Sequence, residues 1–139
     1  MTEDYLLSTI SEHTGLMKAA QWLKHVRVNK KRVGFKQTLN DLRGELKGRR
    51  AVVVGAGPGF KRFGTKDLKL LYENHTTLIA CDGALPSLAE AGISPEYCVS
   101  VDSHPVVANF YRKYASYSGL KWPEAILSTT IHPDVVEIL

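Results

Sequence analysis

The chain has 139 residues, of which 44% are hydrophobic and 23% charged, with a formal net charge of +4. That is ordinary globular composition at the length of one domain, and it excludes a collagen, a mucin stalk, a coiled coil and a disordered tail. No stretch approaches the roughly 18 consecutive apolar residues of a membrane span, and the polar start Thr2-Glu3-Asp4 is unlike a signal peptide, so the expected location is cytoplasmic, with no membrane partner.

The charge is unevenly placed. Residues 1–50 hold 11 of the 18 Lys/Arg and 5 of the 14 Asp/Glu, whereas all six prolines lie beyond them. This shift predicts an N-terminal helical, basic segment over 1–49 and an α/β domain over 50–139, with the boundary near Gly48. From Thr2 to about Val28, Tyr5, Leu6, Ile10, Leu16, Met17, Ala20 and Leu23 recur at three- and four-residue steps. That is helical periodicity, with a break expected near Gly15. Phe35, Leu39, Leu42 and Leu46 predict a second helix, closed by Gly48 as a C-cap. Between them, Lys24, Arg27, Lys30, Lys31, Arg32 and Lys36 form a run without an acid. Its simplest reading is a solvated helix face or linker; a nucleic-acid patch and a basic rim drawing in an anionic ligand are the alternatives. No aromatic residues interleave with the charges, so nucleic acid is not the favoured partner.

Beyond Gly48 the pattern changes. Residues 51–55, Thr76–Cys81, Tyr97–Val101 and Ala125–Thr130 are apolar, partly β-branched runs without alternation, which predicts strands buried on both faces. Helical patterns follow the first three, over Thr65–Asn74 with Thr65 as N-cap, Ala84–Ala91 with Gly92 as the C-terminal glycine, and Val106–Tyr117. Strand and helix alternating every 20–27 residues give the fold expected: a Rossmann-like, mostly parallel sheet flanked by helices, preceded by the N-terminal helical segment. Cys81 and Cys98 fall inside the strands without C-x-x-C spacing. They read as core thiols of a reducing compartment, with no zinc site and no disulfide.

The strand ends carry the chemistry. The first runs into Gly55-Ala56-Gly57-Pro58-Gly59, the second into Asp82-Gly83, the third into Asp102-Ser103-His104-Pro105 and the fourth into Thr129-Thr130-Ile131-His132-Pro133. Ligands of open parallel sheets bind beyond the carboxyl ends of the strands. A glycine-rich turn there can bring backbone N–H groups to a phosphate, with Lys61, Arg62 and Lys66 close behind to neutralise charge. Asp82 and Asp102 on neighbouring strands can share a Mg2+ ion, which takes one or two carboxylates together with substrate phosphates and water. Each aspartate can equally cap the helix after it. His104 and His132 can bind phosphate or carry a proton, or simply serve their own loops. A nucleotide P-loop is excluded because Thr65 precedes Lys66, reversing the required order. The dinucleotide fingerprint would need a third glycine where Phe60 stands, although Asp82 keeps that reading open.

The succession Val52-Val53-Val54-Gly55-Ala56-Gly57-Pro58, Leu78-Ile79-Ala80-Cys81-Asp82-Gly83-Ala84, Gly92-Ile93-Ser94-Pro95-Glu96-Tyr97 and Val99-Ser100-Val101-Asp102 resembles the archaeal 6-hydroxymethylpterin diphosphokinase (MptE-like) family over about residues 50–133. That family shares its core with the bacterial motility accessory factors. The resemblance implies magnesium-dependent transfer of diphosphate from ATP to the hydroxymethyl group of a reduced pterin, leaving AMP. It places Gly55–Gly59, Gly83 and His104 at the nucleotide, and Asp82 and Asp102 at Mg2+ as the catalytic pair. Members of that family are longer, so the expectation is either a piece of a longer protein or a shortened protein that buries its open edge by self-association, as a homo-oligomer. A nucleotide-sugar transferase of the motility accessory type and a non-catalytic nucleic-acid or partner-binding module are the competing expectations.

Overall fold

The computed structural model describes residues 3–33, 38–59 and 64–139, with side chains from Thr14 onward. Helix α1 spans Glu3–Val33 and continues through Gly15 without the expected break. A single glycine costs a helix only about 1 kcal/mol, and the Leu, Met, Lys, Ala and Gln around it are strong helix formers. Lys30, Lys31 and Arg32 in its last turn complement the negative end of the helix dipole.

The second helix predicted from Phe35 to Leu46 does not form. Phe35 lies outside the described residues, and from Thr38 the chain makes one short 3-10 turn, Leu39–Leu42, then further turns. Asp41 starts that turn by accepting the Thr38 N–H at 2.6 Å. Gly44 and Gly48 then stand at φ +89° and +78°. A left-handed residue every four positions ends each turn before a helix can propagate.

The remaining elements are close to those expected: β1 Ala51–Val54, α2 Thr65–Glu73, β2 Thr77–Cys81, a 3-10 turn Asp82–Ala84 leading into α3 Leu85–Glu90, β3 Tyr97–Ser100, α4 Val106–Ala115, β4 Glu124–Leu127 and α5 Pro133–Ile138. The N-cap of α2 is Gly64 at φ +78°, not Thr65. Gly92 does close α3, at φ +71°, with its N–H on the Ala89 carbonyl at 3.0 Å and the Ile93 N–H on Leu88 at 2.9 Å.

All four strands are parallel, in the order β1-β2-β3-β4, with Val54 beside Ala80, Ala80 beside Cys98 and Cys98 beside Ala125. This order has a consequence the apolar runs do not announce. Right-handed crossovers that always step in one direction put every connecting helix on the same face. Val54, Leu78, Ala80, Cys98 and Ser100 are buried on that face, against Leu85, Leu88, Val107, Tyr111 and Val135 from the helices and their connections. Their alternates point the other way, where Val53 is 76% exposed, Val99 37% and Val101 68%. The strands are therefore buried on one face rather than two. On the second face the turns after α1 reach β3 and β4, where the Tyr97 hydroxyl donates to Glu45 at 2.9 Å.

Candidate functional site

Since the strand order never reverses, no switch-point crevice opens within this sheet. Among several recesses of similar size, one lies on the uncovered face next to the carboxyl ends. There Val53, Ile79, Cys81, Val99 and Val101 line a recess of about 480 Å³ that Asp82 and Asp102 border. A second recess, lined by Gly55, Gly57, Gly59 and Leu68, shares Val53 with it. The glycine turn and the two aspartates thus border neighbouring recesses that meet at Val53. Cys81, expected in the core, is only half-buried and looks into the recess; Cys98 is fully buried, and burial pushes its thiol up to about 12. Both thiols are free.

Gly55, Ala56, Gly57, Pro58 and Gly59 are all exposed. None of the three glycines adopts a left-handed φ, and among the described residues a Cβ built on any of them would meet nothing within 4 Å. Backbone shape and internal crowding therefore leave these glycines unexplained. Phe60, Lys61 and Arg62 lie outside the described residues; Lys66 is exposed in the first turn of α2.

Asp82 follows β2 directly. Its Oδ1 accepts the Gly83 N–H at 2.6 Å, and its Oδ2 accepts the hydroxyl of Ser100 at the end of β3. The register Cys81 beside Val99 places Ser100 next to Asp82. Gly83 is packed against the glycine turn: a Cβ there would stand 2.9 Å from the Ala56 Cβ and 3.9 Å from Phe110. This close approach fixes the turn beside the first carboxylate.

Asp102 lies two residues past Ser100, exposed, with its Oδ1 on the His104 N–H at 3.0 Å. His104 in turn accepts the Val106 N–H on Nδ1 at 3.2 Å, and His132 repeats the device, accepting the Asp134 N–H at 3.3 Å. Both histidine-proline pairs therefore cap the helices that follow them. An Nδ1 that accepts leaves the proton of the neutral ring on Nε2. Neither aspartate fills the N-cap position of an α-helix. Asp82 turns back on its neighbour's N–H, and Asp102 makes a two-residue Asx turn.

The donor set fits Mg2+. Asp82 and Asp102 offer hard oxygens that retain lone pairs beyond the hydrogen bonds they accept, and magnesium draws its other ligands from phosphate and water. Among the described residues no group of three or more His, Cys, Asp or Glu gathers into a cage.

A model of the family described as 6-hydroxymethylpterin diphosphokinase MptE-like matches residues 21–138. The chain belongs to that family. No curated protein and no solved structure matched it. No helix among the described residues is long and apolar enough to cross a membrane.

In this MptE-like chain the matched region begins inside α1, at Gln21, further back than the motifs alone reach. From Gln21 onward α1 hydrogen-bonds to the loops after β3 and β4. Trp22 donates to the Ser103 hydroxyl at 3.0 Å, His25 Nδ1 meets the Thr130 carbonyl at 3.1 Å, and Asn29 donates to the carbonyls of Thr129 at 3.1 Å and Ile131 at 2.9 Å. Arg32 reaches the Pro133 carbonyl at 3.1 Å and pairs with Glu137. His25 and Asn29 are buried, and the His25 ring stands edge-on to His132 at 5.1 Å. Lys36 lies outside the described residues; the rest of the basic run is a helix with two faces. Lys24, Arg27, Lys30 and Lys31 are exposed, while the polar stripe at 22, 25, 29 and 32 holds down the loop between Asp102 and His104 and the loop after β4. Those three- and four-residue steps were the signal available in the sequence, hidden among the charges. Asn29→Ala should leave two carbonyls without their donor and lower stability by about 1–3 kcal/mol, read from the denaturant midpoint.

Proposed function

We propose that the protein is a diphosphokinase, transferring the terminal diphosphate of ATP to the hydroxymethyl group of a reduced pterin and releasing AMP. The observation that carries the reading is the contact of Gly83 with Ala56, which sets an exposed glycine turn against a strand-end carboxylate beside an apolar recess. The family match supplies the substrate class.

Among the described residues nothing crowds the glycines of the turn, and these open surroundings leave room for a polyphosphate to reach the backbone N–H groups of Gly55–Gly59. Asp82 and Asp102 would hold Mg2+, which when bound neutralises the polyphosphate and polarises its oxygens. His104 would donate from Nε2 to a phosphate oxygen, since its Nδ1 is taken by Val106; a neutral ring so arranged is a donor rather than a base. The apolar recess gives a flat heterocycle a floor of Val53, Ile79, Val99 and Val101. In the reaction the hydroxymethyl oxygen forms a bond to the β-phosphorus. The bond from that phosphorus to the α,β-bridging oxygen breaks, AMP departs with the electron pair, and the hydroxyl proton passes to solvent.

The test is incubation with magnesium, ATP and 6-hydroxymethyl-7,8-dihydropterin. AMP should form in step with the pterin diphosphate, and absence of both would overturn the assignment.

A further inference from the structure

Under the helix-covered face, next to Asp82, the core carries more polar chemistry than packing calls for. Ser100 is 1% exposed and donates its hydroxyl to Asp82. Tyr111 of α4 is fully buried, and its hydroxyl lies 3.4 Å from the Cys98 thiol. Burial pushes the Tyr111 phenol up, while the Ser100 hydroxyl beside it acts in the opposite sense. The phenol therefore stays protonated, as does the Cys98 thiol.

We infer that Ser100, backed by Tyr111, is the positioning residue that aims the Asp82 carboxylate at the bound cation. A carboxylate only accepts, so the Ser100 proton must point at Asp82. The serine oxygen then has lone pairs left for the Tyr111 hydroxyl, and the Tyr111 oxygen can take the Cys98 S–H. In the orientation that puts the Cys98 S–H on Tyr111 and the Tyr111 O–H on Ser100, every proton of the row points toward the carboxylate, the arrangement in which successive hydrogen bonds strengthen one another. With Oδ2 held by Ser100 and Oδ1 by the Gly83 N–H, the carboxylate has little freedom to turn. Outer partners of this kind orient metal-binding groups and tune their affinity. An alanine at 100 and a phenylalanine at 111 would each remove a single oxygen and leave no buried hydroxyl to satisfy, so packing alone does not call for the polar row. The inference rests on the reading of Asp82 as a cation ligand.

The test is binding of Mn2+ to the full chain in the presence of a non-hydrolysable ATP analogue, read by calorimetry and water-proton relaxation. Ser100→Ala should weaken Mn2+ by about 10-fold or more. Tyr111→Phe, which removes a single oxygen, should weaken it by a smaller factor. The double variant should be no weaker than Ser100→Ala alone, because Tyr111 acts through the serine. Ser100→Thr, which keeps the hydroxyl, should restore affinity to near the parent value, an outcome that a merely structural role for residue 100 would not give. Parent-like Mn2+ affinity in Ser100→Ala, with Asp82→Asn abolishing binding, would overturn the positioning role and leave the site reading standing. Parent-like affinity in Asp82→Asn would overturn both. Should Ser100→Ala fail to fold, Tyr111→Phe decides: parent-like affinity there removes the row.

Discussion

Asp82→Asn should lower AMP release by about 10²–10³-fold while leaving the chain folded. The expected size follows from what the carboxylate touches. The substitution keeps the shape of the side chain, so an amide oxygen can still accept the Gly83 N–H, and the Ser100 hydroxyl can turn to accept from the new NH2 group. The stability cost is therefore that of re-pairing about one hydrogen bond, on the order of 1 kcal/mol. What is lost is a full negative charge at the edge of the recess, the charge that would hold the cation proposed to accompany the polyphosphate. Asp102→Asn should act in the same direction, since Asp102 borders the same recess. Asp134 provides the control: it is engaged with Arg112 at 3.1 Å on the surface, and Asp134→Asn should leave AMP release within about twofold. An Asp82→Asn chain that releases AMP at more than a tenth of the parent rate would show that this carboxylate is not at the reacting phosphates.

The elements around Asp82 explain which parts of this fold can be read from sequence. The strands are legible since Val52-Val53-Val54 and Leu78-Ile79-Ala80 are dense apolar runs that end on glycine or aspartate, and that coincidence marks their carboxyl ends. The strand order is not legible: each βα unit is locally the same whether the next strand is added to one edge or the other. Only the finished order shows that the crossovers step one way and leave Val53 and Val101 uncovered. The same gap hides Ser100. A serine inside an apolar run reads as an ordinary strand residue, and only the Cys81–Val99 register brings it to Asp82. The stretch after α1 fails differently. Leu39, Leu42 and Leu46 do have helical spacing, but Gly44 and Gly48 take left-handed conformations between and after them, and backbone freedom overrides the apolar period. For α1 the charges mask the packing face, because Trp22, His25, Asn29 and Arg32 are polar residues whose partners are loop carbonyls and a serine hydroxyl rather than apolar side chains.

Gly83→Ala should separate the glycine turn from Asp82, and Ala56→Gly should bring it back. Gly83 does not occupy the left-handed region, so alanine is compatible with its backbone. The obstacle is steric: the new methyl would sit 2.9 Å from the Ala56 Cβ, well inside the roughly 3.5–4.0 Å at which carbon atoms pack, while Phe110 at 3.9 Å is an ordinary contact. One side must yield. The corner at Asp82 is held by Ser100, by its own 3-10 turn and by buried Ala84 and Leu85, whereas Ala56 and the glycines beside it are exposed. The turn is expected to move, taking the backbone N–H groups proposed to meet phosphate away from the carboxylate. A displacement on the order of 1 Å in a positioning element can cost about 10²-fold in rate, so Gly83→Ala should lose nucleotide affinity and AMP release together while stability falls by only about 1 kcal/mol. Ala56→Gly alone removes an exposed methyl and should be nearly silent. In the double variant the collision is gone, and affinity for the ATP analogue should recover to within a fewfold of the parent. That recovery would be strong coupling between two residues far apart in sequence, the measurable form of the contact that joins turn and carboxylate. Unchanged affinity in Gly83→Ala, or no rescue by Ala56→Gly, would mean that the nucleotide does not depend on this junction.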